Sequence, residues 1–185
     1  MDLQHKMAEK LALLFLDDKD DEREKAVITY GIEVVLNELL KAILIFLLGV
    51  LFGKIWIAII GLTYLLIIRR YLGGRHFDSN IMCTIFTVFS AFLGPVMIMM
   101  IRIPLFIQVV VGIILTLTII FMNLYTKDEP FPPEKIRINK IISIVLFWTV
   151  GIISYIFGGL DYLSAILFIE IIGVVFAFDL KRWKQ

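Results

Sequence analysis

The feature that most constrains this chain is a recurrence of long uncharged apolar runs, such as AILIFLLGVLF at 42–52 and IWIAIIGLTYLLII at 55–68. Such runs have no polar face to turn to water. In a bilayer each backbone N–H and C=O must instead be paired inside the segment or in a closed barrel. The runs are read as transmembrane helices. Composition agrees: 60% of the residues are hydrophobic and 19% charged, against roughly 45–50% apolar in an ordinary soluble domain. The expected fold is all-α, a polytopic integral membrane protein with about six transmembrane helices in a single membrane domain, 1–185.

The spans fall at about 26–52, 55–68, 81–101, 105–125, 141–157 and 162–178. Glu33, Asn37, Glu38 and Lys41 crowd the first half of the first span. The second is shorter than the ~17 residues usually needed, so snorkelling flanks or a thinned bilayer are expected around it. Ile103-Pro104 closes the third, because proline lacks an N–H and restricts its predecessor. Three of the five prolines lie in the loop TKDEPFPPEKIRINK, and GGLD separates the last two spans. Ahead of them, 1–16 reads as an amphipathic surface helix, with Leu3, Met7, Leu11, Leu14 and Phe15 opposite Lys6, Glu9 and Lys10. The acidic run DDKDDERE after it is unlike a cleavable signal, so the chain is expected to start at or near Met1.

Lys and Arg counts give the orientation. The loop at 69–76 holds three, the proline loop four and the tail three, whereas the alternate turns hold only Lys54 and Arg102. Both termini, the loop after the second span and the proline loop are therefore expected in the cytoplasm. Trp56, Tyr71, Tyr125 and Trp183 stand at span ends, where amphipathic rings prefer the headgroup level. A net charge of +1, without a basic stripe, argues against nucleic-acid binding.

One polar break stands out: GGRHFDSNIMC, 73–83, brings His76 close to Cys83, the only cysteine. On one continuous helix, residues seven apart share a face but lie about 10.5 Å apart along the axis, too far for a nucleophile and its base. Gly73 and Gly74 interrupt the helix, however, and Asp78, Ser79 or Asn80 can cap the next one. His76 can then fold back over the first turn, where Cys83 lies. Free backbone N–H groups, the helix dipole and the nearby Arg75 favour the thiolate there, and the same N–H groups can receive an oxyanion. The residues thus allow cysteine–histidine acyl transfer at the cytoplasmic face.

Spacing alone leaves other readings open. A lone membrane cysteine packs as a small apolar residue, a loop histidine can be a surface group, and Arg69 and Arg70 can be positive-inside anchors. The intramembrane set Glu33, Asn37, Glu38, Lys41 and Glu170 suits the alternative of a small transporter or exporter subunit. No inverted repeat or paired broken helices support that alternative. Acyl transfer to a lipid or protein without cleavage is a third reading. Two distant histidines, His5 and His76, with one cysteine make no metal-ligand cluster.

Arg69, Gly73, Gly74, His76 and Cys83 form the pattern R-x3-GG-x-H-x6-C between the second and third spans. With the chain's length, charged amphipathic N-terminus and span layout, this resembles the accessory gene regulator B family of Gram-positive bacteria, small membrane endopeptidases that process quorum-sensing propeptides. The resemblance implies Cys83 as nucleophile and His76 as base, with Arg69, Arg70, Gly73, Gly74 and Arg75 supporting the site or binding substrate. It implies cleavage on the C-terminal side of the future signal through a thioester, then closure of a thiolactone or lactone, with no cofactor or nucleotide. The implied partners are a small amphipathic propeptide with an acidic tail and membrane lipid, with a second copy of the chain left open. Where the family often has lysine-proline after the fourth span, this chain reads KDEPFPPEK, with Lys127 and Lys135.

Overall fold

A computed structural model describes residues 8, 10–12, 22–72, 79–122 and 133–177. All secondary structure among the described residues is helical: α1 (Glu22–Leu51), α2 (Ile55–Leu72), α3 (Asn80–Val88), a π-turn (Phe89–Leu93), α4 (Gly94–Met99), α5 (Leu105–Phe121) and α6 (Pro133–Ala177). Four helical stretches are long and apolar enough to cross a membrane: Lys25–Leu51, Ile55–Leu72, Asn80–Met99 and Glu134–Val175. Leu105–Phe121 is apolar but shorter. The chain divides into two compact units, Met1–Leu44 and Ile45–Gln185.

In the first unit, the expected surface helix lies mostly outside the described residues. Of it, Ala8 and Ala12 are buried and Lys10 is exposed. Along α1, Lys41 is only 1% exposed, and its Nζ donates to Glu38 Oε1 at 2.6 Å. Asn37 Oδ1 is buried without a hydrogen-bond partner.

The second unit begins with the last turns of α1, which end in a Schellman motif. Gly53 adopts φ 63°, Lys54 N–H donates to Gly49 O at 2.8 Å and Gly53 N–H to Val50 O at 3.1 Å. These bonds use carbonyls that the helix end would otherwise leave orphaned. A Cβ on Gly49 would lie 2.6 Å from Ala58 Cβ, so the bare glycine is what lets the start of α2 close against the end of α1.

Helix α2 runs 18 residues, about 27 Å at 1.5 Å each, close to the ~30 Å hydrocarbon core. It extends four residues past the expected span, through Arg69 and Arg70, whose charge suits a helix C-terminus. Its buried stripe of Ile57, Ala58, Gly61, Tyr64, Leu65, Ile68 and Leu72 follows helical periodicity. Gly61 packs against the Ala91 carbonyl with no room for a side chain, and Ile68 Cγ2 fills the notch at Gly173, 2.6 Å from where a Cβ would sit.

The third hydrophobic segment is continuous but not uniform. Pro95 cannot donate to Ala91 O, its normal acceptor four residues back. The strain is taken up by the π-turn ahead of it, where Gly94 N–H donates to Phe89 O, five residues back. Phe89 in that turn meets Phe168 edge to face at 6.0 Å.

The expected fifth and sixth spans form one element, α6, broken at Gly159 with φ 68° and ψ −153°. Positions 151 and 163 would lie about 18 Å apart on a straight helix, yet Leu163 Cδ1 is 3.3 Å from where a Cβ on Gly151 would be. The chain therefore folds back at Gly159, giving arms 133–158 and 160–177. Gln108 on α5 braces this reversal: its Nε2 donates to Leu160 O at 3.2 Å and to Ile103 O at 2.8 Å. At the other end of α5, Lys140 Nζ donates to Ile120 O at 2.7 Å, using a C-terminal carbonyl. The first arm of α6 thus lies antiparallel to α5.

Candidate site at the start of the third hydrophobic segment

Ser79 occupies the N-cap of α3 with extended backbone (φ −106°, ψ 124°) and no side-chain capping bond. Its carbonyl accepts the Cys83 N–H at 3.0 Å, the first rung of the helical ladder. The N–H groups of Asn80, Ile81 and Met82 precede that rung and have no acceptor within the helix. Cys83 is half-buried. The nucleophile expected from sequence therefore stands in the first turns of a helix, at the edge of an apolar segment.

Its surroundings are tied to α2. Thr87, one turn after Cys83 and 1% exposed, donates its hydroxyl to Cys83 O at 2.8 Å. Arg69 Nη1 donates to Thr87 Oγ1 in a long contact of 3.5 Å. The same guanidinium lies over the Phe86 ring, 5.9 Å from its centroid, within cation–π range. Arg69 is half-buried, whereas Arg70 is exposed. Gly73, Gly74, Arg75 and His76 lie outside the described residues, as do the expected N-caps Asp78 and, in the proline loop, Lys127.

Glu170 is 0% exposed, and its partner is Tyr64, whose hydroxyl donates to Glu170 Oε2 at 2.6 Å. Glu170 Oε1 has no hydrogen-bond partner. Thr87 and Phe86 also went unnoticed in the sequence. The available signal was a threonine four residues after the cysteine, a spacing that puts both on one helix face. Tyr64 was signalled only by its place on the apolar stripe of α2. No cluster of three or more His, Cys, Asp or Glu side chains that could hold a metal ion occurs among the described residues.

The family model for accessory gene regulator B matches residues 4–178. Accessory gene regulator protein B of Staphylococcus epidermidis is 27% identical over 128 residues, covering 69% of this chain and 66% of that protein. An AgrB-like protein of Clostridium perfringens strain SM101 is 29% identical over 173 residues, covering 86% of this chain and 72% of the relative. An AgrB-like protein of Lactiplantibacillus plantarum is 25% identical over 138 residues, covering 73% of this chain and 69% of the relative. No solved structure matches. With the match running nearly end to end over a set of apolar helices, the chain is a membrane protein that belongs to the accessory gene regulator B family, of the accessory gene regulator quorum-sensing system.

Proposed function

We propose that this protein is a membrane cysteine endopeptidase that removes the C-terminal tail of a small amphipathic quorum-sensing propeptide. The observation that carries the reading is the coincidence of family membership with the place of Cys83, half-buried in the first turns of a helix whose Phe86 and Thr87 meet the Arg69 guanidinium. The Cys83 sulfur attacks the scissile carbonyl while His76 takes the thiol proton. The C–N bond then breaks, His76 returns that proton to the leaving amine, and the tail departs. A thiol or hydroxyl inside the retained peptide attacks the resulting thioester, closes a thiolactone or lactone, and leaves Cys83 as the thiol. The N–H groups ahead of the first rung are suited to the tetrahedral oxyanion. Capture of the thioester by a peptide thiol exchanges one thioester for another, so ring closure requires neither cofactor nor nucleotide.

The arrangement in the cell follows from the same reading. Six crossings come from α1, α2, the segment Asn80–Met99, α5 and the two arms of α6, preceded by the amphipathic N-terminal helix. Both termini and the catalytic loop face the cytoplasm, where the propeptide is made. Exposed Arg70, with Arg75, attracts the acidic tail.

Co-expression with a propeptide from a neighbouring small reading frame tests the proposal. Cleavage is expected with the natural chain and is lost in Cys83→Ser and His76→Ala while both variants still accumulate in membranes. Processing by Cys83→Ser removes the reading. The buried Glu170 and the Lys41–Glu38 pair are what a transporter subunit would use, and substrate crossing without cleavage would favour that alternative.

A further inference from the structure

We propose that Thr87 is a positioning residue for Cys83: it fixes the Arg69 guanidinium on the nucleophile's own helix, so that Arg69 serves the thiol and is not primarily a receptor for substrate charge. The inference rests on Cys83 being the nucleophile.

The Thr87 hydroxyl has one proton and lone pairs. It gives the proton to Cys83 O and accepts from Arg69 Nη1. The chain Arg69 N–H, Thr87 O–H, Cys83 C=O joins the last turn of α2 to the first turns of α3. It links a guanidinium nitrogen to the Cys83 carbonyl oxygen through a single hydroxyl, by contacts of 3.5 and 2.8 Å. Hydrogen bonds in such a chain polarise one another in low dielectric. The other hydroxyls on this stretch do less. Thr84 Oγ1 bonds Asn80 O and Ser90 Oγ bonds Phe86 O, each a local bond back to the preceding turn of the kind common in membrane helices. Thr87 makes the same back-bond and also receives a charged donor from another helix.

A cation held there stabilises negative charge on the attacking sulfur. Phe86 supports the guanidinium through its ring face, but an aromatic face cannot fix the in-plane direction of the N–H groups; a hydroxyl acceptor can. Arg70, adjacent in sequence but exposed, remains available for an acidic peptide. Two neighbouring arginines thereby acquire separate tasks.

The test uses the intact chain in nanodiscs and the initial rate of Cys83 alkylation by iodoacetamide. The reagent is neutral, so the guanidinium cannot draw it in electrostatically, and Cys83 is the only thiol in the sequence. Thr87→Val keeps the shape and deletes the hydroxyl, Thr87→Ser restores it, and Arg69→Gln deletes the cation in case Thr87→Val does not accumulate. Thr87→Val and Arg69→Gln are expected to slow alkylation about tenfold, with Thr87→Ser within about twofold of the natural chain. After unfolding in dodecyl sulfate, all variants are expected to react alike. A natural alkylation rate in Arg69→Gln or Thr87→Val overturns the proposal, as does a Thr87→Ser variant no faster than Thr87→Val. Alkylation needs no propeptide, so failure of the peptidase reading shows separately, as absent cleavage by the natural chain.

Discussion

Glu170 is the residue for which the membrane interior sets the hardest terms. Its side chain is fully buried, with one carboxyl oxygen bonded to Tyr64 and the other without a partner. Removing the sole donor to a buried acceptor typically costs about 1–3 kcal/mol, whereas replacing both partners by apolar groups of similar shape can be nearly neutral. Tyr64→Phe is therefore expected to lower the unfolding temperature in detergent, Glu170→Gln to lower it less because an amide oxygen still accepts, and Tyr64→Phe/Glu170→Leu to recover much of the loss. A double variant less stable than Tyr64→Phe alone would contradict the pairing. The need for a partner was legible in the sequence, since a carboxylate stood alone in an apolar segment. Its identity was not, because Tyr64 lies 106 residues away and belongs to a stripe that reads as ordinary packing. Cys83 was more legible: the polar Asp78-Ser79-Asn80 ahead of an apolar run marks a helix start, and helix does begin at Asn80. The Arg69–Thr87 contact was hidden because it depends on how two helices dock across a loop.

At the scale of elements, two glycines are required for opposite reasons. Gly61 has ordinary helical backbone but faces the Ala91 carbonyl so closely that any Cβ would displace backbone. Gly159 has open space around its missing Cβ, but its φ of 68° with ψ −153° is a conformation essentially reserved for glycine. Gly61→Ala is accordingly expected to push α2 off the π-turn, loosening Arg69 from Thr87 and reducing propeptide cleavage more than membrane accumulation. Gly159→Ala strains the reversal itself, by about 1–3 kcal/mol, and is expected to reduce accumulation first. Immunoblots of membrane fractions beside cleavage assays separate the two. If Gly61→Ala cleaves normally at normal abundance, the close approach is dispensable. The reversal was visible in GGLD because two adjacent glycines and a nearby aspartate punctuate apolar runs. The π-turn was not. Pro95 signals a broken rung, but a segment can meet that by kinking, ending or widening one turn, and the widened turn found here holds Phe89 against Phe168 from a distant helix.

For the whole molecule, two hydrogen bonds at opposite ends of α5 carry the topology. Lys140 joins the start of α6 to the end of α5, and Gln108 joins the start of α5 to the reversal at Gly159. The turn at 101–104 and the break in α6 therefore lie at the same end of α5, because Gln108 touches carbonyls from both. If α5 crosses the bilayer despite its 17 residues, the first arm of α6 crosses back beside it, and the arms count as separate spans. In the orientation proposed above from the Lys and Arg counts, the turns near Lys54, Arg102 and Asp161 are outside and the start of α6 is inside. A Cys83→Ser chain carrying one new cysteine at a time reads this directly. In intact cells a membrane-impermeant maleimide is expected to label Lys54→Cys, Arg102→Cys and Asp161→Cys, and to label Glu134→Cys only after the membrane is opened. All four native positions are exposed, so lack of reaction cannot be blamed on packing within the chain. Labelling of Glu134→Cys from outside would invert the orientation and move Cys83 away from the compartment where a propeptide is made. Labelling of Arg102→Cys but not Asp161→Cys would mean that α5 and the first arm of α6 do not both cross.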